Sequence, residues 1–259
     1  MKRLKKLRDS LPKEKKKPLL IIGDGKCISE KIIPKYHQKG MYYLAPLEIT
    51  KERRDLVSSI PEEEFDENKL QYKRKKTDAY FGVMRTISFE DKEKVYEDKA
   101  LIVKSKTKLS RDRRTREKAI QRRQERLKHI LSQLNKRKYK KKSYVEKMVE
   151  KALSGSRAKK YFEVTLTGKD GNLKLEWSLD GKAIEKDEKL DGKYILVSSY
   201  FFKSTDDMLT SYKGRDKVEK RISHFKGPLR IRPLFLESDE RIASLVFVVM
   251  LSLLIYSII

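Results

Sequence analysis

Cysteine and histidine are scarce in this chain, and their scarcity excludes several kinds of site. The single cysteine, Cys27, excludes an internal disulfide and a cysteine-based zinc cluster, and a lone thiol suits a reducing compartment. The three histidines are scattered along the sequence, which argues against a histidine metal centre. We therefore expect a cytoplasmic protein whose one thiol is buried and unreactive.

Apolar runs long enough to matter for membranes occur only at the end of the chain. The basic residues 1–17 are followed by a short apolar stretch at 18–22, so no signal peptide is predicted. Residues 242–259 contain no charged residue and reach the lower length limit of a transmembrane helix. A tail anchor and a helix buried on all sides in a core share this pattern, and hydropathy leaves both open.

Acidic residues are much fewer than basic ones. The 259 residues include 64 Lys or Arg and 38 Asp or Glu, which gives a formal net charge of +26. Residues 104–142 contain 18 basic and 3 acidic residues, a local net charge of +15. This balance predicts a polyanionic partner, either nucleic acid or an anionic membrane surface. A solvated basic helix without a partner is the alternative.

The hydrophobic pattern at the start of the chain predicts an α/β fold. Apolar residues 19–23 predict a buried strand with Asp24 at its C-terminal tip. A helix over 29–38 and a second strand over 41–45 follow. A strand–helix–strand unit of this length predicts that the two strands run parallel.

The rest of the chain predicts a basic α+β insertion followed by a return to the α/β core. The predicted strands are 80–89, 100–103, 161–167, 173–179 and 194–198, and the predicted helices are 111–136, 143–153, 212–226 and the apolar terminal segment. We therefore predict three segments. Residues 1–47 form the first part of the core, 48–190 form the insertion, and 191–259 form the rest of the core with a buried apolar helix.

Four residues near the C-terminus form a chemical pattern. Tyr212, Arg215, Glu219 and Lys226 are spaced as Tyr-x2-Arg-x3-Glu-x6-Lys. Because a helix turns about 100° per residue, they lie within an arc of roughly 60°. An aromatic hydroxyl, two cations and one carboxylate on one stripe suit holding a metal ion against a phosphodiester. A charged surface helix is the alternative, and Gly214 predicts a break or kink in it.

Asp24 and Glu219 are the candidate metal ligands. A strand-tip Asp and a helix-borne Glu can bring oxygen ligands together from distant parts of a chain. An Asp that follows a strand is also a common turn residue, and this alternative stays open for Asp24. Asp191 has the same Asp-Gly context, and there we predict a turn.

The spacing of Tyr212, Arg215, Glu219 and Lys226 resembles the signature of the DDE transposases of insertion sequences, in the group named for this Tyr-Arg-Glu-Lys motif. The segments DGKYILVSS and SYKGRDKVEKRISHFKGPLRIRPLF and the apolar RIASLVFVVMLSLL resemble the C-terminal third of such enzymes in order and spacing. The segment LLIIGDGKCISEKIIPKYHQKGMYYLAP resembles the region around the second catalytic Asp of that family. The resemblance covers residues 18–47 and 191–256.

The resemblance implies an RNase H-like mixed-sheet core interrupted by an insertion domain. It implies that Asp24 and Glu219 are the second and third of three acidic ligands for Mg²⁺ or Mn²⁺. It also implies that Tyr212, Arg215 and Lys226 hold DNA phosphates beside the cut. The activity implied is metal-dependent cleavage and transfer of DNA strands at insertion-sequence ends, with double-stranded DNA as partner. A homodimer stays open as the oligomeric state.

The chain departs from that family at the first acidic ligand. Only 23 residues precede Asp24, and Asp9, the only Asp among them, lies in a basic stretch without an apolar strand. We therefore expect an N-terminally truncated transposase that does not cleave DNA by itself. The resemblance also favours a buried terminal helix over a membrane anchor.

Two other functions stay open beside the transposase. One is a basic nucleic-acid-binding protein without catalysis, and the other is a tail-anchored membrane protein with a basic domain. Trp177, the only tryptophan, lies on a predicted strand of the insertion. Stacking on a base is one role for it, and packing in the core is the one that we predict.

Overall fold

A computed structural model of the chain describes residues 19–73, 78–91, 94–155, 157–226 and 238–258. The chain divides into two compact units. Unit 1 comprises Met1–Pro46, Ser88–Asp98 and Val197–Ile259, and unit 2 comprises Leu47–Ile87 and Lys99–Leu196. The predicted division after residues 47 and 190 stays a prediction, and it differs from these units in placing 88–98 in the insertion.

The strands form a mixed sheet and a separate hairpin. They are β1 (Leu20–Ile22), β2 (Tyr42–Leu47), β3 (Lys69–Leu70), β4 (Tyr80–Asp91), β5 (Lys94–Ser105), β6 (Phe162–Lys169), β7 (Asn172–Leu179) and β8 (Lys193–Ser198). The order in the larger sheet is β1-β2-β8-β5-β4-β3, and β6 pairs with β7. Strand β1 is parallel to β2, whereas β3 is antiparallel to β4. The predicted α/β class and the parallel first pair are confirmed.

Helices account for the other regular elements of the described chain. They are α1 (Ile33–Gln38), α2 (Lys51–Ser58), α3 (Glu62–Glu67), α4 (Lys106–Gln133), α5 (Lys142–Leu153), α6 (Gly181–Glu188), α7 (Thr205–Lys226) and α8 (Asp239–Ile258). Helix α4 begins five residues before its predicted start. The reason is Ser105, whose Oγ accepts a hydrogen bond from the backbone N–H of Lys108 at 3.3 Å and caps the helix.

The strand–helix–strand unit at the start of unit 1 is built by local signals. Strand β1 is half-buried rather than fully buried as predicted. Pro34 lies in the first turn of α1, where its missing N–H is not needed. Gly40 ends the turn after α1 with a φ of +58°, a conformation that glycine adopts without strain. The side chains of Ile33 and Leu44 are fully buried between these elements.

The core of unit 2 lies where α4 and α5 meet the β6–β7 hairpin. Its buried side chains include Leu127, Ile130, Val145, Leu153, Phe162, Leu173 and Leu175. The predicted hairpin is confirmed, with Lys169 opposite Asn172 and the turn closed at Gly171 by a φ of +85°. Trp177 is half-buried against this cluster, with its ring 6.0 Å from that of Phe162.

Helix α8 differs from its prediction in burial. The predicted helix is present, but Phe247, Val248 and Met250 are 64%, 57% and 58% exposed, and only Val249 among residues 241–252 is buried. The predicted burial of this helix is therefore wrong for these residues, because an apolar sequence does not itself supply a surface to pack on. In the part of the chain that the structure describes, no helix is long and apolar enough to cross a membrane.

Candidate functional site

Asp24 lies two residues after the end of strand β1 and caps the N-terminus of a short 3-10 helix, Gly25–Cys27. Its Oδ1 accepts hydrogen bonds from the backbone N–H of Lys26 at 3.0 Å and from Sγ of Cys27 at 3.5 Å. Gly23 is required at this turn, because a Cβ there would lie 2.4 Å from Sγ of Cys27. Asp24 is exposed, and Cys27 is half-buried rather than fully buried as predicted. The turn thus holds one carboxylate oxygen and leaves Oδ2 outside these bonds.

These contacts hold the pKa of the Asp24 carboxyl below its usual range. The main cause is the hydrogen bond from the backbone N–H of Lys26, followed by that from the Cys27 thiol. The positive charge of Arg215 lowers the pKa further. Asp24 is therefore ionised at neutral pH, and it lies within electrostatic range of a guanidinium on helix α7. Both residues belong to unit 1.

Helix α7 carries the predicted polar stripe without interruption. It is continuous from Thr205 to Lys226, so the predicted break at Gly214 is wrong. A Cβ at Gly214 would meet no atom within 4 Å, which shows that packing does not require a glycine there. Met208 and Leu209 in the first turns are buried and fix this end of the helix in unit 1. The side chains of Val218, Ile222 and Phe225, predicted to form the buried face, lie outside the described part.

Arg215 is the central group of the stripe. Its Nε forms an ion pair with Oε1 of Glu219 at 3.1 Å, one helical turn away. The carbon of its guanidinium lies 5.0 Å from the ring centroid of Tyr212, in cation–π geometry. Its Nη1 is buried and has no hydrogen-bond partner among the described residues. Arg215 is therefore held at one edge and retains a donor at the other.

The pKa of Tyr212 is shifted by burial and by the charges around it. Burial raises the pKa of its phenol; the charge of Arg215 lowers this pKa, and the charges of Glu219 and Asp24 raise it. The phenol is therefore protonated at neutral pH and can donate a hydrogen bond. Asp24 and Glu219 therefore both lie within electrostatic range of Tyr212. Lys226 is the last residue of α7, and its side chain lies outside the described part.

The carboxylates near Arg215 number fewer than the resemblance implies. Within the described ranges, no three His, Cys, Asp or Glu side chains converge on a position that could hold a metal ion. Asp9 lies outside those ranges. The candidate metal ligands are the carboxylates of Asp24 and Glu219. The Glu219 carboxylate already forms an ion pair with Arg215. Two carboxylates fit one hard divalent cation whose other ligands are water or phosphate oxygens.

The second charged region is helix α4 in unit 2. Arg113, Arg114, Lys118 and Lys128 are exposed, and no carboxylate of the described chain pairs with them. They form an open row of positive charge that can approach a phosphate backbone. We call these four residues the open cations of α4.

Two other arginines of α4 hold the fold, which the sequence pattern did not reveal. Arg116 pairs with Asp191 at 2.7 Å and with Glu188 at 3.1 Å, and the side chains of Arg116 and Asp191 are 9% and 8% exposed. Arg123 is buried and donates to the carbonyl oxygens of Ala119 and Ser154. Asp191 lies in a turn, as predicted, and also anchors helix α4. Only contacts between residues distant in sequence could have identified these roles.

A scan against models of protein families found no match to this chain, and neither curated proteins nor solved structures gave one.

Proposed function

We propose that this chain is a DNA-binding protein of the DDE transposase type, with an RNase H-like core interrupted by a basic insertion domain. Its phosphate site consists of Asp24, Tyr212, Arg215, Glu219 and Lys226. The observation that carries this proposal is the buried Nη1 of Arg215, which has no partner among the described residues. An unsatisfied buried donor costs about 1–3 kcal/mol, and more when it is charged. A phosphate oxygen at this position removes that cost.

The neighbours of Arg215 orient its guanidinium before a phosphate binds. The ion pair with Glu219 and the ring of Tyr212 orient the guanidinium, so little side-chain freedom is lost when an anion binds. The protonated phenol of Tyr212 supplies a second hydrogen-bond donor, which is neutral, beside the charged guanidinium. A guanidinium with an unpaired donor and a phenol suit a phosphodiester, whose two nonbridging oxygens share one negative charge.

Asp24 and Glu219 would hold Mg²⁺ or Mn²⁺ at this site. A hard divalent cation supplies positive charge that draws phosphate oxygens to the carboxylates. Asp24 is ionised and exposed, as a ligand must be, and Glu219 is 54% exposed at its side chain. The third carboxylate of a complete DDE site is not among the described residues, so strand cleavage by this polypeptide alone is not expected.

The insertion supplies a second contact with DNA through the open cations of α4. Each cation that neutralises a phosphate releases condensed counterions, so binding by this surface depends steeply on salt. Such contacts position a duplex without reading its sequence. Double-stranded DNA at insertion-sequence ends is the proposed ligand.

The proposal is tested by titrating a labelled DNA duplex with the full chain and following fluorescence anisotropy. We expect the substitution Arg215→Gln to weaken binding about three- to tenfold, because a charge-assisted bond to phosphate is lost. The matched control is Lys220→Gln, which removes one charge from the same helix at an exposed position. Equal losses in the two variants would show that only net charge matters and would overturn the phosphate site.

A basic nucleic-acid-binding protein without a metal site is the second candidate function. The open cations of α4 favour it, because they need neither Asp24 nor Glu219. Adding Mg²⁺ to the same titration separates the two. If the chain has the metal site, Mg²⁺ strengthens DNA binding by the wild-type chain more than by the Glu219→Gln variant. If it has no metal site, Mg²⁺ only competes with the basic side chains for phosphates and weakens DNA binding by the two proteins equally.

A further inference from the structure

A cleft of about 790 Å³ lies between helices α4 and α5 in unit 2. Arg122, Arg126 and His129 line it from α4, and Lys151 lines it from α5. The three α4 residues follow one another at intervals of four and three, so they lie on one stripe of the helix. A volume of this size is within the range of small-molecule sites.

The charge in this cleft is not balanced. Glu125 is the only acidic residue that lines it, and its Oε1 accepts a hydrogen bond from Gln121 at 3.0 Å. No carboxylate in the described ranges forms an ion pair with Arg122, Arg126 or Lys151. Three cations therefore line the cleft with one carboxylate, an excess of positive charge that attracts anions.

The buried Arg123 beside the cleft makes its lining rigid. Its Nη1 donates to the carbonyl oxygen of Ala119 at 3.1 Å, and its Nη2 donates to that of Ser154, just past α5, at 3.2 Å. Arg123 thus ties the two helices together. Burial lowers the pKa of Arg123, and the neighbouring charges of Arg126 and Arg122 lower it further. The charges of Arg122 and Arg126 are therefore close enough to Arg123 to act on it.

The remaining wall of the cleft is apolar and aromatic. Ile130, Tyr139 and Met148 also line the cleft. The ring of Tyr139 is held edge-on by Tyr144, with 5.1 Å between their centroids. A flat apolar wall beside a cluster of cations suits a ligand that carries a planar ring at one end and several negative charges at the other.

We propose that this cleft binds a nucleotide, with its phosphates on Arg122, Arg126 and Lys151 and its base against Tyr139 and Met148. A free nucleoside polyphosphate and the phosphodiesters of a nucleic acid share this chemistry. The free nucleotide is favoured, because its polyphosphate carries three to four charges in one place, whereas each phosphodiester carries one. This site shares no residue with the phosphate site at Arg215, and it does not depend on the proposed transposase function.

The test measures the affinity of the full chain for ATP by isothermal titration calorimetry, with inorganic triphosphate and a short single-stranded oligonucleotide as parallel ligands. We expect saturable binding of one ATP per chain. The double variant R122Q/R126Q should lose at least about tenfold in affinity, because two charge-assisted contacts are removed. The matched control R113Q/R114Q removes the same charge from exposed positions of the same helix and should bind ATP as the wild type does.

Two further measurements make the outcome decisive. Tyr139→Ala should weaken ATP binding several-fold and leave triphosphate binding unchanged if the base contacts this wall. Far-UV circular dichroism checks that each variant retains its helices. Failure of the wild-type chain to bind ATP, or equal ATP affinity in the two double variants, would overturn the proposal. Loss of oligonucleotide binding alone in R122Q/R126Q would also overturn it and would assign these cations to a nucleic-acid surface.

Discussion

Helices α4 and α7 are both rich in charge, but their charges have different uses. On α7, Arg215 binds Glu219 within its own helix and retains a buried donor for a ligand. On α4, Arg116 and Arg123 bind groups distant in sequence and hold unit 2 together, while their neighbours Arg113 and Arg114 stay open. The density of charge on a helix therefore does not show which charges are available to a partner. The contacts of each side chain decide it.

The largest expected effect is the loss of stability on breaking the ion pair between Arg116 of α4 and Asp191. Asp191→Ala leaves the guanidinium of Arg116, which is 9% exposed, without its closest partner. Removing one member of a buried ion pair typically costs about 3 kcal/mol or more, because the other charge stays buried. Urea unfolding followed by circular dichroism should show the loss as a lower midpoint at an unchanged slope.

The control for this experiment is Arg113→Gln, which alters an open cation of the same helix. We expect its unfolding free energy to stay within about 0.5 kcal/mol of the wild-type value. A similar loss in both variants would mean that charges on α4 are not divided between structural and open roles.

The next largest effect concerns how the open cations of α4 change the salt dependence of DNA binding. The double variant R113Q/R114Q should reduce the slope of log affinity against log salt by about 1.8, since each phosphate contact contributes about 0.9. The measurement is anisotropy of labelled duplex DNA at several salt concentrations. An unchanged slope would show that these two arginines do not contact phosphates.

A smaller effect is expected from Glu219→Gln on α7. Without a divalent cation, the variant should bind duplex DNA roughly twofold more tightly, because a negative charge beside Arg215 is removed. In Mg²⁺ the order should reverse, since the wild-type carboxylate can then hold the ion. A variant that is weaker in both conditions would show that Glu219 serves DNA binding only by orienting Arg215.

The smallest effect concerns the pH dependence of stability at Asp24. The pKa of this carboxyl is lowered in the folded protein, so its stabilising contribution is present above the unfolded pKa of about 3.9 and is lost as the pH falls through the lower folded value. Asp24→Asn should therefore be slightly less stable than the wild type at neutral pH. In urea titrations the two curves should converge in strongly acidic solution, and a constant difference would contradict this assignment.

Local features of the fold were predictable from short stretches of sequence. The parallel pair β1 and β2, the β6–β7 hairpin and helix α5 follow from hydrophobic periodicity and from turn glycines such as Gly171. The start of α4 was missed because Ser105, at the end of strand β5, caps the helix before its apolar stripe begins. The exposure of α8 was missed because apolar composition is the same in a buried helix and in one without a complete partner surface.

The stripe of Tyr212, Arg215 and Glu219 is encoded locally in the sequence, because helical geometry places residues three to four apart on one face whatever surrounds the helix. The turn at Asp24 is local too, since the backbone N–H of Lys26 bonds its carboxylate and the side chain of Cys27 leaves no room for a Cβ at Gly23. Long-range packing, in contrast, places Asp24 within electrostatic range of Arg215 and pairs Arg116 with Asp191, 75 residues away. Such contacts depend on how whole elements pack, and no local periodicity encodes that packing.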